Sequence, residues 1–253
     1  MSRETEPSPT QTGVTRDSKL FSTTGTEMLS PLTLVLVRHG VTEMTAAQQM
    51  SGSGVPGPHL NPTGRVQVAK AADAVYRIGR DTWPTVAKVT RVLASPMTRT
   101  QDTGTALGRR SGLHVETEPR LREIHFGEWE GLTSVQIAQT HGDAVDQWRF
   151  GKVGAPGGES FHDVGQRMDE LVKDLAAEHA QLCAEGKDQA RAYALATHSV
   201  AIKSCVGVSL GIEQGKWGSI WPSPASLTLL QLRVTANGEI AERHLLCLGA
   251  PID

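Results

Sequence analysis

The chain has 253 residues and a formal net charge of −2 at pH 7, so bulk charge offers no reason to expect a nucleic-acid or anionic-membrane partner. Its cysteines, Cys183, Cys205 and Cys247, stand far apart without C-x-x-C spacing; this argues against a disulfide framework or a zinc site and fits a reducing, cytoplasmic setting. The histidines show no H-E-x-x-H or H-x-H spacing, no secretory leader is visible, and no apolar run approaches the ~18 residues of a membrane span. Neither a metal nor another cofactor is expected.

Residues 1–30 are rich in Ser, Thr, Glu and Pro and could bury little surface, so they read as a disordered tail before one domain over residues 31–253. Thr33–Val37 reads as a strand apolar on both faces, as a parallel sheet requires. Asn61-Pro62 caps and starts a helix to about Ile78. Val89–Ala94 reads as a second strand; Ser95-Pro96 reads as a cap and first turn of a helix to about Arg110. His114–Thr117 is a short strand, and 118–158 reads as irregular chain with short helices.

From Ser160 to about Ala184 the apolar stripe Val164, Met168, Leu171, Val172, Leu175 predicts a long amphipathic helix. Arg191–Thr197 is a strand and Ser199–Leu210 a helix. Ser226–Arg233 and Glu239–Leu246 read as two strands around the Asn237-Gly238 turn. Alternating strands and helices imply an α/β fold, a three-layer α/β/α sandwich with a mostly parallel sheet and an antiparallel edge strand from the closing hairpin.

Ligands of open α/β sheets bind outside the carboxyl ends of the strands. Three of the expected strands end in polar groups suited to an anion: Arg38-His39, Ser95 with Arg99, and Thr197-His198-Ser199. Arginine presents a planar fork of donors that fits phosphate oxygens, and helix N-termini after the second and fourth strands would add N–H groups. A neutral imidazole can attack phosphorus and form a covalent intermediate, provided an acceptor holds its second nitrogen. Gly40, next to that histidine, reads as a site of close backbone approach or unusual dihedral angle.

With these residues in view, the chain resembles the histidine phosphatase superfamily, the phosphoglycerate mutase-like group, over roughly residues 32–247. The motifs that carry the resemblance are RHG at Arg38–Gly40 with Thr42 after it, SPMTRTQDTG at Ser95–Gly104, RLREIHFGEWEG at Arg120–Gly131, PGGES at Pro156–Ser160, and ATHSVAIK at Ala196–Lys203. SGSGVPGPHLNPTG at Ser51–Gly64 looks like the substrate loop. The overall look is similar to bacterial alpha-ribazole phosphatase and broad acid phosphatase members. Departures from the family pattern are Val41, Thr45, Ser199 and a proline-rich substrate loop without its usual aspartate; they concern substrate contacts.

The resemblance implies a phosphoric monoester hydrolase acting on a small phosphorylated metabolite through phosphohistidine. In that reading His39 is the nucleophile, Glu123 the acid and base, and Arg38, Arg99 and His198 bind the phosphoryl group. Thr45, Ser51, Gly52 and Ser199 join them as substrate contacts. Glu128 and Glu130 are rival carboxylates, Trp129 a packing residue, Glu159 a loop or helix-start residue, and Lys203 a solvated lysine. Trp148 and Phe150 would give the pocket bulk.

Two alternatives belong to other classes. A cofactor-dependent phosphoglycerate mutase-type phosphotransferase would need a further segment between Glu123 and His198, where the long helix leaves little room. A catalytically dead phospho-ligand-binding module would be expected to lack one of the five core residues, and all are present. The oligomeric state stays open: a homodimer could form through an edge strand or through the Trp217–Trp221 region.

Overall fold

The computed structural model describes residues 27–252, so the expectation for 1–26 lies outside the described residues. Before residue 30 the chain already joins the domain: Met28 bridges to Thr235 and the Leu29 N–H donates to the Val234 carbonyl.

Six strands form one sheet: β1 (Leu32–Arg38), β2 (Val89–Ala94), β3 (Val115–Thr117), β4 (Arg191–Thr197), β5 (Leu227–Val234) and β6 (Ile240–Ala250). Their order is β3-β2-β4-β1-β5-β6. β1, β2, β3 and β4 pair in parallel, while β5 runs antiparallel to β1 and to β6. The antiparallel edge is thus the expected closing hairpin, with β5 reversed and β6 outermost.

β1 is apolar on both faces because each face packs into a core. Leu32, Leu34 and Leu36 point into one core and Val35 and Val37 into the other, following the twofold alternation of strand side chains. The first core packs under α6 (Phe161–Leu182) and α7 (Ser199–Ser209); the second packs under α2 (Pro62–Arg77) and α3 (Thr98–Ser111). The expected three layers follow.

Local chemistry sets several helix starts. Asn61 caps α2 by accepting the Gly64 N–H at 2.8 Å, with Pro62 in the first turn. Ser160 and Asp163 form a reciprocal capping box at α6. α6 stops at Leu182, slightly short of the expected Ala184, where one wider turn over Cys183–Lys187 follows. Three short helices, α1 (Glu43–Ala46), α4 (Ser134–His141) and α5 (Ala144–Arg149), line the route between the major elements.

One expected start is wrong. Ser95 does not cap α3, which begins at Thr98 after Met97 with no side-chain cap. The Ser95 hydroxyl is engaged elsewhere, as described below.

Candidate active site

Because β1, β2 and β4 are parallel, their carboxyl ends share one rim. Arg38 and His39 leave β1 there, Ser95 leaves β2, and His198 leaves β4. Adjacent pairing of β4 with both β1 and β2 brings these termini together. Arg38 and His39 open onto a cleft of about 730 Å³ whose lining also includes Thr45, Ser51, Glu123 and Ser199, while Ser95, Arg99 and His198 are not among its lining residues.

His39 is buried at 5% exposure. Its Nδ1 lies 2.7 Å from the Gly40 carbonyl. A carbonyl only accepts, so Nδ1 carries the hydrogen and Nε2 keeps its lone pair. The Arg99 Nε–H points at Nε2 from 3.3 Å, as it does only toward an acceptor. Burial, then the charges of Arg99 and Arg38, hold the imidazole well below the ordinary histidine range. His39 is therefore a neutral base with its lone pair already aimed.

Gly40 serves close approach. A Cβ there would stand 2.5 Å from the Gly64 carbonyl oxygen, and one at Gly64 would stand 2.0 Å from the Val41 oxygen. The backbone after His39 and the first turn of α2 touch directly, which only glycine permits.

Arg99 is fully buried at the start of α3. Its Nη2 donates to the carbonyls of Ser51 and Gly52 at 2.9 and 3.1 Å, so the substrate-loop backbone aims this guanidinium. Among the described residues its Nη1 and the Arg38 Nε are buried without a partner. The Arg38 Nη1 donates to the Pro222 carbonyl at 2.9 Å. Buried donors left over in this way mark where an acceptor belongs.

His198 is fully buried, its Nε2 2.8 Å from the Ser95 hydroxyl. That hydroxyl also receives the Met97 N–H at 3.4 Å, and it can accept from Nε2 or donate its own hydrogen to it. Where it donates, Nδ1 carries the ring hydrogen; among the described residues Nδ1 is buried without a partner. Burial and the Arg99 charge hold His198 well below its ordinary value. This is the use of Ser95 that displaced the expected helix cap.

Glu123 is 5% exposed. Its Oε1 accepts from the N–H of Ile124 and Ala201, and its Oε2 from that of Val200, at 3.0, 3.2 and 3.1 Å. The anion met by the N-terminus of α7 is thus this carboxylate, not the phosphoryl group expected there. At α3 the Thr98 N–H is taken by the Pro56 carbonyl. The loop that carries Glu123 is held by a residue that local sequence does not single out. Arg167 on α6 donates to the carbonyls of Arg120, Arg122 and Glu123 at 2.6, 2.8 and 3.1 Å. Glu159 pairs with Arg167 and Arg122, as a loop-orienting role requires, while Asp163 supplies the helix cap.

Of the expected substrate contacts, Thr45, Ser51 and Ser199 line the cleft. Gly52 does not: its N–H donates to Glu130 at 2.7 Å and its carbonyl accepts from Arg99. Glu130 is therefore a support for the substrate loop, and Trp129 packs in the core at 1% exposure. Trp148 lines the cleft, whereas Phe150 is 59% exposed and stands outside it. Trp217 is buried and Trp221 stands at the cleft, so the two do not form one exposed patch. Lys203 is not solvated, being buried against the cleft. Among the described residues no group of three or more His, Cys, Asp or Glu is placed to hold a metal ion.

A family model described as the histidine phosphatase superfamily (branch 1) matches residues 34–241. The chain belongs to this superfamily. It is 33% identical over 185 residues to a glucosyl-3-phosphoglycerate phosphatase of Mycolicibacterium vanbaalenii, covering 73% of this chain and 76% of the relative. It is 32% identical over 189 residues to the protein of that name from Mycobacterium tuberculosis, covering 74% and 79%. The solved structure of a mycobacterial glucosyl-3-phosphoglycerate phosphatase superposes with TM-score 0.72 at 29% identity, over 87% of this chain and 99% of the other. The histidine phosphatase motifs at Arg38–Gly40, Ser95–Gly104, Glu123 and His198 all fall within the matched span, on the rim just described.

Proposed function

We propose that this protein, a phosphatase of the histidine phosphatase superfamily, hydrolyses a small phosphorylated metabolite through phosphohistidine at His39. The observation that carries the proposal is the neutral, buried His39 with its Nε2 lone pair fixed by the Gly40 carbonyl, beside the leftover donors of Arg38, Arg99 and His198.

Nε2 of His39 attacks phosphorus as the ester P–O bond breaks. The charge of the bound phosphoryl group favours the protonated form of Glu123, whose Oε2 accepts a single N–H and keeps a lone pair for the proton; Glu123 takes up that proton as the substrate binds and gives it to the leaving oxygen. Water then attacks phosphorus, Glu123 takes the proton, and the N–P bond breaks. Arg38, Arg99 and His198 stabilise the charge that builds on the phosphoryl oxygens; one such donor is typically worth ~10²–10³ in rate. Trp221 lines the cleft and is 71% exposed, so this wall of the cleft is in contact with the water that hydrolysis needs.

The relatives' name points to a phosphorylated, glycosylated small molecule, and the Phe126, Trp148 and Trp221 surfaces in the cleft suit a sugar face. The unpaired cysteines suit a reducing cytoplasm.

The test is phosphate release from phenyl phosphate, with and without a chelator, by wild type and His39→Ala. Chelator-resistant turnover that vanishes in the variant supports the proposal. Equal turnover by the variant would sink it.

A further inference from the structure

Lys203 lies on α7, five positions beyond His198. Lysines are almost never buried without a partner, because a desolvated ammonium is costly. Lys203 is 5% exposed. Among the described residues it has no ion pair and no hydrogen bond; its contact is the ring face of Trp221, with Nζ 5.1 Å from the centroid. It also lines the cleft.

Lys203 lies two positions beyond Ala201 on α7, and the Ala201 N–H donates to Glu123 at 3.2 Å. Glu123 stands where the leaving oxygen collects its proton in the reading above, so Lys203 neighbours the leaving-group side of the site. Burial lowers its ammonium to about 8, against the opposing pull of Glu123, so the group is still largely charged at neutral pH. Arg149 also lines the cleft.

The lining is short of negative charge. Its cations are Arg38, Lys203 and Arg149, and its one carboxylate is Glu123, which three backbone N–H groups already hold. A transferred phosphoryl group would match Arg38 together with Arg99. Arg149 has Asp146 as its partner; among the described residues Lys203 would still lack a counter-charge.

We infer that Lys203, with Trp221 over it and Arg149 beyond, forms a second anion subsite that receives a carboxylate or a second phosphoryl group on the leaving portion of the substrate. This rests on the hydrolase reading and sharpens it: the substrate carries two anionic groups, one transferred and one used for recognition.

The test uses alkyl phosphates with three- and four-carbon chains whose far end is a hydroxyl, a carboxylate or a second phosphate. The quantity read is kcat/KM for an anion-ended ester divided by kcat/KM for the hydroxyl-ended one. Wild type should favour an anionic end by about tenfold or more, the worth of one charge-assisted hydrogen bond. Lys203→Met should lower that ratio at least about fivefold, and Lys203→Arg should keep it. The end group with the larger wild-type ratio identifies the anion. An absent wild-type preference, a smaller change in Lys203→Met, or an equal loss in Lys203→Arg would overturn the subsite. A purely structural lysine would slow all the esters alike and leave the ratio in place.

If wild type turns over none of these esters, the hydrolase reading fails on its own. The subsite is then judged by calorimetric titration of the same compounds into His39→Ala and His39→Ala/Lys203→Met. Tighter binding of the anion-ended compounds that the second change removes supports it. Equal affinities in the two proteins reject it.

Discussion

The rings of His39 and His198 meet edge to face, their centroids 5.2 Å apart at 62°. Both are buried beside Arg99, and burial with that charge holds both well below the ordinary histidine range. Two neutral imidazoles thus sit where two imidazolium ions would repel each other and the guanidinium. In the proposed reaction one keeps a lone pair for phosphorus, and the other holds a buried nitrogen without a partner among the described residues.

A first consequence concerns the acid side of catalysis. Protonation of His39 removes the lone pair, and its value is depressed, so this loss begins only well below pH 6.5. The acid limb of kcat/KM, which reports the free enzyme, should therefore lie well below the ordinary histidine value. A limb centred at 6.5 in a pH–rate profile would refute the neutral-nucleophile geometry. His39→Ala should lose at least ~10³ in rate, since no other nucleophile replaces it, and wild type quenched in alkali should hold alkali-stable, acid-labile phosphate that the variant lacks.

Stability should follow the same shifts. His39, His198 and His179 all have folded values below the unfolded one. Between the two values the unfolded chain binds more protons than the native one, so stability falls as pH falls. The loss starts as pH drops through about 6.5 and amounts to ~1.4 kcal/mol per unit for each group still neutral in the fold. Above about pH 7.5 these groups contribute no slope. The Tm should be lower at pH 5 than at pH 7.5 by at least ~5 °C. A flat Tm over that window in calorimetric scans would contradict the burial of these rings as neutral species.

Much of this fold is legible in local pattern. The doubly apolar runs of β1, β2 and β4 end where their polar residues begin, and Asn61 and Ser160 cap the helices that follow them. Ser95 shows where local reading stops. Before a proline it has the chemistry of a cap, yet the parallel pairing of β2 with β4 puts its hydroxyl against His198, and no local pattern encodes that. Lys203 is a partial case. Val200, Ala201, Ile202, Cys205 and Val206 around it are all buried, and a helix apolar on every side has no solvated face to offer a lysine. Arg167 interrupts the apolar side of α6, but the carbonyls it holds lie more than forty residues earlier. The Glu123–α7 contact is likewise tertiary.

Replacing Ser95 with alanine should leave the Nε2 of His198 without a partner inside the protein. An unsatisfied buried polar group costs ~1–3 kcal/mol, so the Tm should fall by a few degrees. His198 also loses the hydroxyl that sets its tautomer, and kcat/KM should fall by ~10-fold or more. Inorganic phosphate should inhibit correspondingly less well, because its donor is misassigned. A variant with reduced Tm but wild-type inhibition by phosphate would show that Ser95 only fills space.

Gly40→Ala tests the close contact behind the nucleophile. Its Cβ would stand 2.5 Å from a backbone oxygen of Gly64, and backbone cannot rotate away as a flexible side chain can. Overpacking of this kind costs ~1–3 kcal/mol. The displaced segment carries His39, and small misplacements of reacting groups can cost up to ~10² in rate. Activity should fall at least ~10-fold with a smaller relative loss of KM-level binding. A fully active variant would show that α2 can yield at this point.

Glu123→Gln separates the proton donor from the phosphoryl-binding groups. The amide keeps the side chain's size and one acceptor oxygen, but its NH₂ would face an N–H among those of Ile124, Val200 and Ala201 that now donate to the carboxylate. That clash costs ~1–3 kcal/mol and should lower the Tm by a few degrees. The chemical effect should depend on the leaving group. An alkoxide needs a proton as the P–O bond breaks, and general acid catalysis is worth ~10²–10⁴. A nitrophenolate leaves without one. Turnover of an alkyl phosphate should therefore fall by at least ~10², while formation of the phosphoenzyme from 4-nitrophenyl phosphate, seen as a burst of nitrophenol, should fall far less. Breakdown of that phosphoenzyme needs the base, so the burst should be followed by a slowed steady state. Equal losses for both esters, with no burst, would move the acid role from Glu123 to another group in the cleft.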